Sequence, residues 1–524
     1  MVDFKKVSEA PTRPGTRPES KTFDVADLYR GPADGAETRT DQPAPLDEKL
    51  RQAYYWIVNT AIISPYYDVE YNDQPPASYT FGDRKVTVRL PTDQSYSSYV
   101  LLPLLNLAVR RRCLLVGGPG RGKTVIAVLM ALLAGYSLKE VKRSVQHGQP
   151  QMTIADLLGN PLPSTLVSAA DMDDVKIAWR KWLGMRVKII DEYNRIPTRT
   201  QSALLTVMAD NYAEMYDHIF ECPEASWYLT ANDEAGGGTY QVIEALRDRI
   251  DVVVGAFHFN TRFLNDLLLR IEAGIRPEEI VPAEIVFTEA EQERMSREVL
   301  GVGLPGPIRR RIEFFSSHFE FFEPAAAQLE YMTKDTVKLA GVDPPTLAVQ
   351  ESGKDPTREL GRQTNNGLSV RALMTALVYI KAMAWFRGRA EVELEDVRQI
   401  LPFVLHDKLV QDPEAPFFER PENEALRTDR VSWVRRLFDE SNREYDRLDL
   451  DKDDPVARFE AEFEKGLEGL AAREVEARLV KIERTLAEWA KGRKFHGHMY
   501  DDVLKLKYLH QRYSNYLRWK RWTA

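Results

Sequence analysis

Apolar and polar positions change rhythm several times along this 524-residue chain, and each change predicts a different kind of element. Residues 1–46 scatter their apolar side chains among Pro, Thr, Gly, Asp and Arg. Such a stretch buries too little to offset the entropy of ordering it, so a disordered N-terminal arm is expected. Helical spacing starts near Leu46 and continues through Ala53, Trp56, Ile57 and Thr60. Strict alternation in Lys85-Val86-Thr87-Val88-Arg89-Leu90 predicts an edge strand or a hairpin. From Tyr99 to about Val254, short apolar runs alternate with helical stretches. The clearest runs are Cys113-Leu114-Leu115-Val116, Val187-Lys188-Ile189-Ile190 and Trp227-Tyr228-Leu229-Thr230. That alternation predicts an α/β domain built on a parallel sheet with crossover helices.

Beyond it the pattern is helical, with a long amphipathic stretch over residues 369–386. Farther on, Val475, Leu479, Ile482, Leu486 and Trp489 recur in a four-three rhythm. Leu506, Leu509, Tyr513 and Tyr516 repeat it beyond a polar turn at 492–498. Two facing seams joined by a short turn predict an antiparallel helical hairpin. The expected division is an arm over 1–46, an α/β domain over 47–255, a helical domain over 256–415 and a C-terminal helical hairpin over 416–524.

Composition narrows the function classes. A net charge of −8 offers no global attraction to nucleic acid or anionic membrane. Two cysteines, Cys113 and Cys222, cannot build a disulfide framework. The first residues lack the apolar stretch of a signal peptide, and the longest apolar run, 125–134, is far below the ~20 residues that span a bilayer. A cytoplasmic location is expected.

The first candidate chemistry is Gly117-Gly118-Pro119-Gly120-Arg121-Gly122-Lys123-Thr124, which fits G-x-x-x-x-G-K-[ST]. It follows a buried strand and opens a helix, the context in which the motif binds phosphate. Glycines allow successive backbone N–H groups to turn inward, and the helix N-terminus adds partial positive charge. Lys123 can then reach the β- and γ-phosphates, and Thr124 can place its hydroxyl on Mg²⁺. The second is Asp191-Glu192, at the end of another buried strand. Ligands of open α/β sheets sit beyond such ends. Asp191 is thereby placed to hold Mg²⁺, and Glu192 to orient and deprotonate the attacking water.

These residues sit in a wider pattern. Asp191-Glu192-Tyr193-Asn194-Arg195-Ile196-Pro197 is followed by Gln201-Ser202-Ala203-Leu204-Leu205 and Met208. Gly238-Thr239-Tyr240, Glu244-Ala245 and Asp248-Arg249 come next, then Gly367-Leu368-Ser369-Val370-Arg371-Ala372-Leu373 with Arg387-Gly388-Arg389 and Glu395-Asp396-Val397. Over roughly residues 95–410 the chain resembles the MoxR branch of the AAA+ ATPases. The resemblance implies an ATP-hydrolysing P-loop core followed by an all-α lid. It implies that Asn232 is the sensor-1 residue that helps position the lytic water, and that Arg371 is the sensor-2 arginine of the lid. Arg249 matches the arginine finger offered to a neighbouring subunit. Arg247 is its rival: on a helix the two lie roughly 160° apart, on opposite flanks of the stripe Val242, Ile243, Leu246 and Ile250, so periodicity alone does not choose. A finger supplied in trans implies a homo-hexameric ring. Thr153-Ile154-Ala155-Asp156-Leu157-Leu158-Gly159 resembles the family's pore-facing insertion. The family further implies a protein client and a von Willebrand factor A domain partner. A nucleic-acid motor and a low-turnover switch are the competing classes. Extra sequence around Glu323 to Thr364 and the hairpin after about 430 depart from the family pattern.

Three other signals have plainer readings. Asp449 to Asp453 with Glu460 has the acid spacing of a calcium loop, but Asp454-Pro455 stands where that loop needs Gly and instead suits a helix start. His496-Gly497-His498 is read as a turn. Lys505, Lys507, Arg512, Arg518, Lys520 and Arg521 among aromatics are read as a packed helix whose cations face solvent and an acidic partner helix.

Overall fold

The computed structural model describes residues 45–523, apart from 62–65, 72, 74, 83–85, 169–170, 172–173, 233–247, 257–263, 275, 343, 345–358, 492–494 and 496. The expected arm therefore lies outside the described residues up to position 44. So do Gly238-Thr239-Tyr240, Glu244-Ala245 and Arg247.

Five strands form one sheet: β1 (Arg112–Val116), β2 (Gln146–His147), β3 (Val187–Asp191), β4 (Ser226–Ala231) and β5 (Val252–Gly255). Their order is β5-β1-β4-β3-β2, and every pairing is parallel. Ala231 lies opposite Val116, and Leu229 lies opposite Ile190. The carboxyl ends of β1, β3 and β4 therefore finish side by side. One of the five escapes the apolar pattern: β2 is a polar pair in register with Ile190 and Asp191. The alternating stretch before the core becomes an antiparallel hairpin, Ser78–Phe81 against Val86–Arg89.

The helices begin where local chemistry starts them. The principal ones are α1 (Leu46–Thr60), α2 (Ser98–Val109), α3 (Lys123–Leu133), α4 (Thr198–Asp210), α5 (Glu289–Gly301) and α6 (Gly306–Ser317). They continue with α7 (Val370–Phe386), α8 (Leu394–Leu405), α9 (Arg430–Arg447), α10 (Pro455–Glu464), α11 (Ala472–Ala490) and α12 (Gly497–Thr523). A capping box of Thr288 and Glu291 opens α5, and the Ser369 hydroxyl accepts from Ala372 N to open α7. α2 is buried along its whole length and joins the sheet to the helical region. Its Asn106 donates to Trp227 O (3.1 Å) and accepts from the Tyr379 hydroxyl of α7 (2.8 Å).

One apolar core joins α1, α2, α3 and one sheet face to α5, α7, α8 and α9. A second lies on the opposite face, against α4. Side-chain contacts cross both expected divisions: Lys49 of α1 meets Glu291 of α5 at 2.9 Å, and Arg398 of α8 meets Asp439 of α9 at 2.7 Å. A third core is the expected hairpin: Val475, Ile482 and Trp489 of α11 face Leu506, Leu509 and Tyr513 of α12. α10 adds Val456 and Phe459 to it.

Asp454 caps α10 by accepting from Val456 N and Ala457 N, and Asp446 and Asp451 both pair with Arg311. No cluster of three metal-capable side chains occurs among the described residues. His496 lies outside the described residues, Gly497 and His498 open α12 instead of forming the expected turn, and His498 packs against Phe314 and His318. On α12, Lys505 meets Glu313, Lys507 meets Glu330 and Arg521 meets Glu476 of α11. No described helix is long and apolar enough to cross a membrane.

α6 is pinned to the C-terminal unit by Arg310, which meets Asp454 at 2.5 Å and Asp502 at 3.0 Å. Burial beside Asp454 pushes the Asp502 carboxyl from 3.8 up to about 6, against the pull of Arg310 and Lys505. A carboxyl raised on folding favours the native state where it is protonated. Its contribution is full below about pH 4 and is lost as pH rises through about 6. Asp502→Asn removes that dependence. Relative to wild type, its unfolding free energy in urea should rise by about 1–3 kcal/mol between pH 4 and 7; a difference independent of pH would contradict this assignment.

Candidate active site

β1 runs into the loop 117–122, and α3 starts at Lys123. Gly117 sits so close to the chain beyond β5 that a Cβ there would come within 2.8 Å of Ala256 O. Gly122 turns the chain into α3 at φ 76°, a conformation that favours glycine. Arg121 folds back over Gly118 and donates to Ala256 O at 2.9 Å, while Tyr99 donates to Arg121 O at 3.1 Å. Lys123 is 7 % exposed. Its ammonium donates to Gly117 O (2.6 Å), Gly118 O (2.8 Å) and Asn232 Oδ1 (3.0 Å). The loop's own carbonyls thus hold the cation at the mouth of the helix.

Asp191 ends β3 beside this loop. Its Oδ1 accepts from the Thr124 hydroxyl at 2.9 Å and from the Thr230 hydroxyl at 2.6 Å, and its Oδ2 lies 3.3 Å from His147 Nδ1. Glu192 follows in a left-handed conformation, φ 54°, stabilised by a bond from its N–H to Thr230 Oγ1 at 2.9 Å. Its two carboxylate oxygens are separately engaged: Asn232 Nδ2 donates to Oε1 at 2.7 Å, and Arg195 Nη1 lies 3.2 Å from Oε2. The end of β2 passes so close that a Cβ on Gly148 would stand 2.2 Å from Glu192 O.

Lys123, Thr124, Asp191, Glu192 and Asn232 are therefore joined in one hydrogen-bonded group, although they come from three separate stretches of chain. Arg371, in the first turn of α7, is turned toward Asp248 rather than toward the phosphate loop. Arg249 lies half-buried between Asp248 and Ile250, just before β5.

Comparison with known proteins agrees with this architecture. A family model described as "ATPase family associated with various cellular activities (AAA)" matches residues 112–252, and one described as "AAA lid domain" matches 361–428. The chain is 24% identical over 312 residues to Chaperone MoxR1 of Mycobacterium tuberculosis, covering 59% of this chain and 70% of that protein. It is 24% identical over 323 residues to the uncharacterized protein YeaC of Bacillus subtilis, covering 60% and 83% respectively. The chain carries an AAA ATPase core and an AAA lid and is similar to the MoxR-type AAA+ ATPases. It is an ATP-hydrolysing enzyme with an α/β core followed by a helical lid.

Within this ATPase core the motif reading misses Thr230. Its single hydroxyl donates to Asp191 and accepts from the Glu192 N–H, so it fixes both acids with respect to each other. A small polar residue near the end of a buried apolar strand is the one signal that could have found it. His147 and Arg195 are also missed as partners of the acids, because exposed polar residues carry no pattern of their own. Thr230→Val keeps the volume and removes the hydroxyl. ATP turnover should fall about 10–100-fold, with Thr230→Ser close to wild type. Steady-state phosphate release checks this, and a fully active Thr230→Val enzyme would refute it.

Proposed function

We propose that copies of this ATPase form a homo-hexameric ring in the cytoplasm, hydrolyse ATP at the seams between neighbours, and use the cycle to remodel, mature or assemble a protein client. The observation that carries this reading is the single hydrogen-bonded group of Lys123, Asp191, Glu192 and Asn232 at the carboxyl end of the sheet.

In this reading the backbone N–H groups of Gly120, Arg121 and Gly122 and the start of α3 cradle the phosphates. Lys123 leaves the carbonyls of Gly117 and Gly118 for the β- and γ-phosphates, which are far better acceptors for an ammonium. Thr124 and Asp191 offer hard oxygen donors suited to Mg²⁺. When bound, Mg²⁺ neutralises charge on the phosphates. Glu192 orients the attacking water and takes its proton, and Asn232 positions the same water from the other side. Arg371 of the lid reaches the γ-phosphate of its own subunit. Arg249 stabilises the transition state in the neighbour's cleft.

The domains that do this are the AAA+ core over 47–255, the lid over 256–415 and the helical hairpin over 416–524. The similarity to Chaperone MoxR1 of Mycobacterium tuberculosis supports a protein client. So does the net charge of −8, and Lys505, Lys507 and Arg521 of α12 are paired with Glu313, Glu330 and Glu476. A von Willebrand factor A domain protein is the partner to seek, and a pull-down with a hydrolysis-blocked ring would present it.

Two substitutions test the chemistry. Glu192→Gln should bind ATP normally and lose turnover by about 10²–10⁴-fold. Arg249→Ala should retain binding and lose about 10³-fold or more. Turnover at the wild-type rate in the Glu192→Gln enzyme would remove its assigned role. Sedimentation of the nucleotide-bound protein as a monomer would remove the ring.

A further inference from the structure

Arg249 lies in a four-residue segment, 248–251, immediately before β5. Three side chains of the helical region grip this segment. Arg371 and Thr375 stand one turn apart on the same face of α7. Arg371 donates to the Asp248 carboxylate, and Thr375 Oγ1 donates to Asp251 Oδ1 at 2.7 Å. Asp248 and Asp251 bracket Arg249. Lys408, just past α8, donates to Ile250 O at 2.5 Å. From the other side, the Arg112 backbone N–H at the start of β1 donates to Asp251 Oδ2 at 3.0 Å. β1 is the strand that ends in the phosphate loop.

We propose that Asp248 and Asp251 are positioning residues that make Arg249 part of the lid, so that the nucleotide in a subunit's own cleft sets where that subunit presents Arg249 to its neighbour. The inference rests on the reading that Arg249 acts in trans and Arg371 in cis.

The two carboxylates do different work. Asp251 is buried and shares its oxygens between lid and sheet, so losing the Thr375 hydroxyl leaves an oxygen of a buried anion unpaired. That grip is permanent. The Arg371–Asp248 pair is half-exposed and weak, so it can be released. One guanidinium cannot hold both Asp248 and a γ-phosphate. A triphosphate in the cleft therefore withdraws Arg371 from Asp248, while Thr375 and Lys408 keep the segment attached to α7 and α8. The equilibrium shifts by the difference in affinity between the two arrangements. The coupling is reciprocal: a neighbour's triphosphate that draws Arg249 outward favours triphosphate in the subunit that donates it. Positive cooperativity between clefts follows.

The test uses the full chain, with saturating turnover, the Hill coefficient of turnover against ATP, and affinity for a fluorescent ATP analogue. Thr375→Val should lower saturating turnover about 10- to 100-fold through misplacement of Arg249. Its analogue affinity should stay within about threefold of wild type. Thr375→Ser should restore the rate. Asp248→Asn, a surface change that tests the same device without risk to the core, should keep saturating turnover within about threefold and bring the Hill coefficient toward one. Wild-type rate and cooperativity in both variants, beside an inactive Arg249→Ala, would overturn the inference and leave the trans-finger reading standing. A fully active Arg249→Ala would remove that reading and the inference together. A wild-type Hill coefficient of one would also overturn the inference.

Discussion

The parallel register of β1, β4 and β3 is the constraint on which the rest depends. Because Val116, Ala231 and the end of β3 finish at the same level, the residues that follow each strand must share one small volume. The phosphate loop, Asn232 and the Asp191-Glu192 pair are those residues. Their polar groups are drawn from water at the same edge, and the cheapest arrangement is to satisfy one another. Lys123 takes carbonyls of its own loop, Asn232 bridges Lys123 and Glu192, and Thr230 bridges the two acids. A site built this way is assembled before substrate arrives, and binding exchanges internal acceptors for phosphate oxygens.

The same economy extends to the helical region. α2 is buried throughout, so its polar groups need internal partners, and Asn106 supplies them by joining Trp227 O of the sheet to Tyr379 of α7. α7 is thus anchored in the core at Tyr379 while its first turns hold the segment around Arg249. Firm, buried bonds lie deep in the molecule and the half-exposed ion pair lies at its rim. That gradient is what a moving lid needs, since only the rim contact can be broken at low cost. The buried Arg310 with Asp454 and Asp502 plays the corresponding role between α6 and the C-terminal unit.

The pattern of the chain made the sheet legible where burial is two-sided: three mostly apolar runs became β1, β3 and β4. It made the α11–α12 seam legible because one apolar stripe repeated over several turns. β2 was invisible, since two polar residues pair there only because β3 already lies beside them. The cores also run across the expected divisions, because α1 and α9 bury their stripes on helices far away in sequence. Thr230, His147 and Arg195 were illegible as members of the site for a related reason: each acts through a partner 3 to 44 residues away, and no local spacing marks it.

Residue types and short-range spacing alone determined the phosphate loop, the acids at a strand end, the amphipathic helices and their caps, because these follow from backbone conformation and from which side chains avoid water. Only the tertiary structure decided that Asn232 meets Glu192, that Thr230 holds two acids, and that Arg371 and Thr375 take hold of the carboxylates beside Arg249. Those contacts join positions tens to more than a hundred residues apart. They are set by strand register and helix packing, which belong to the whole chain at once.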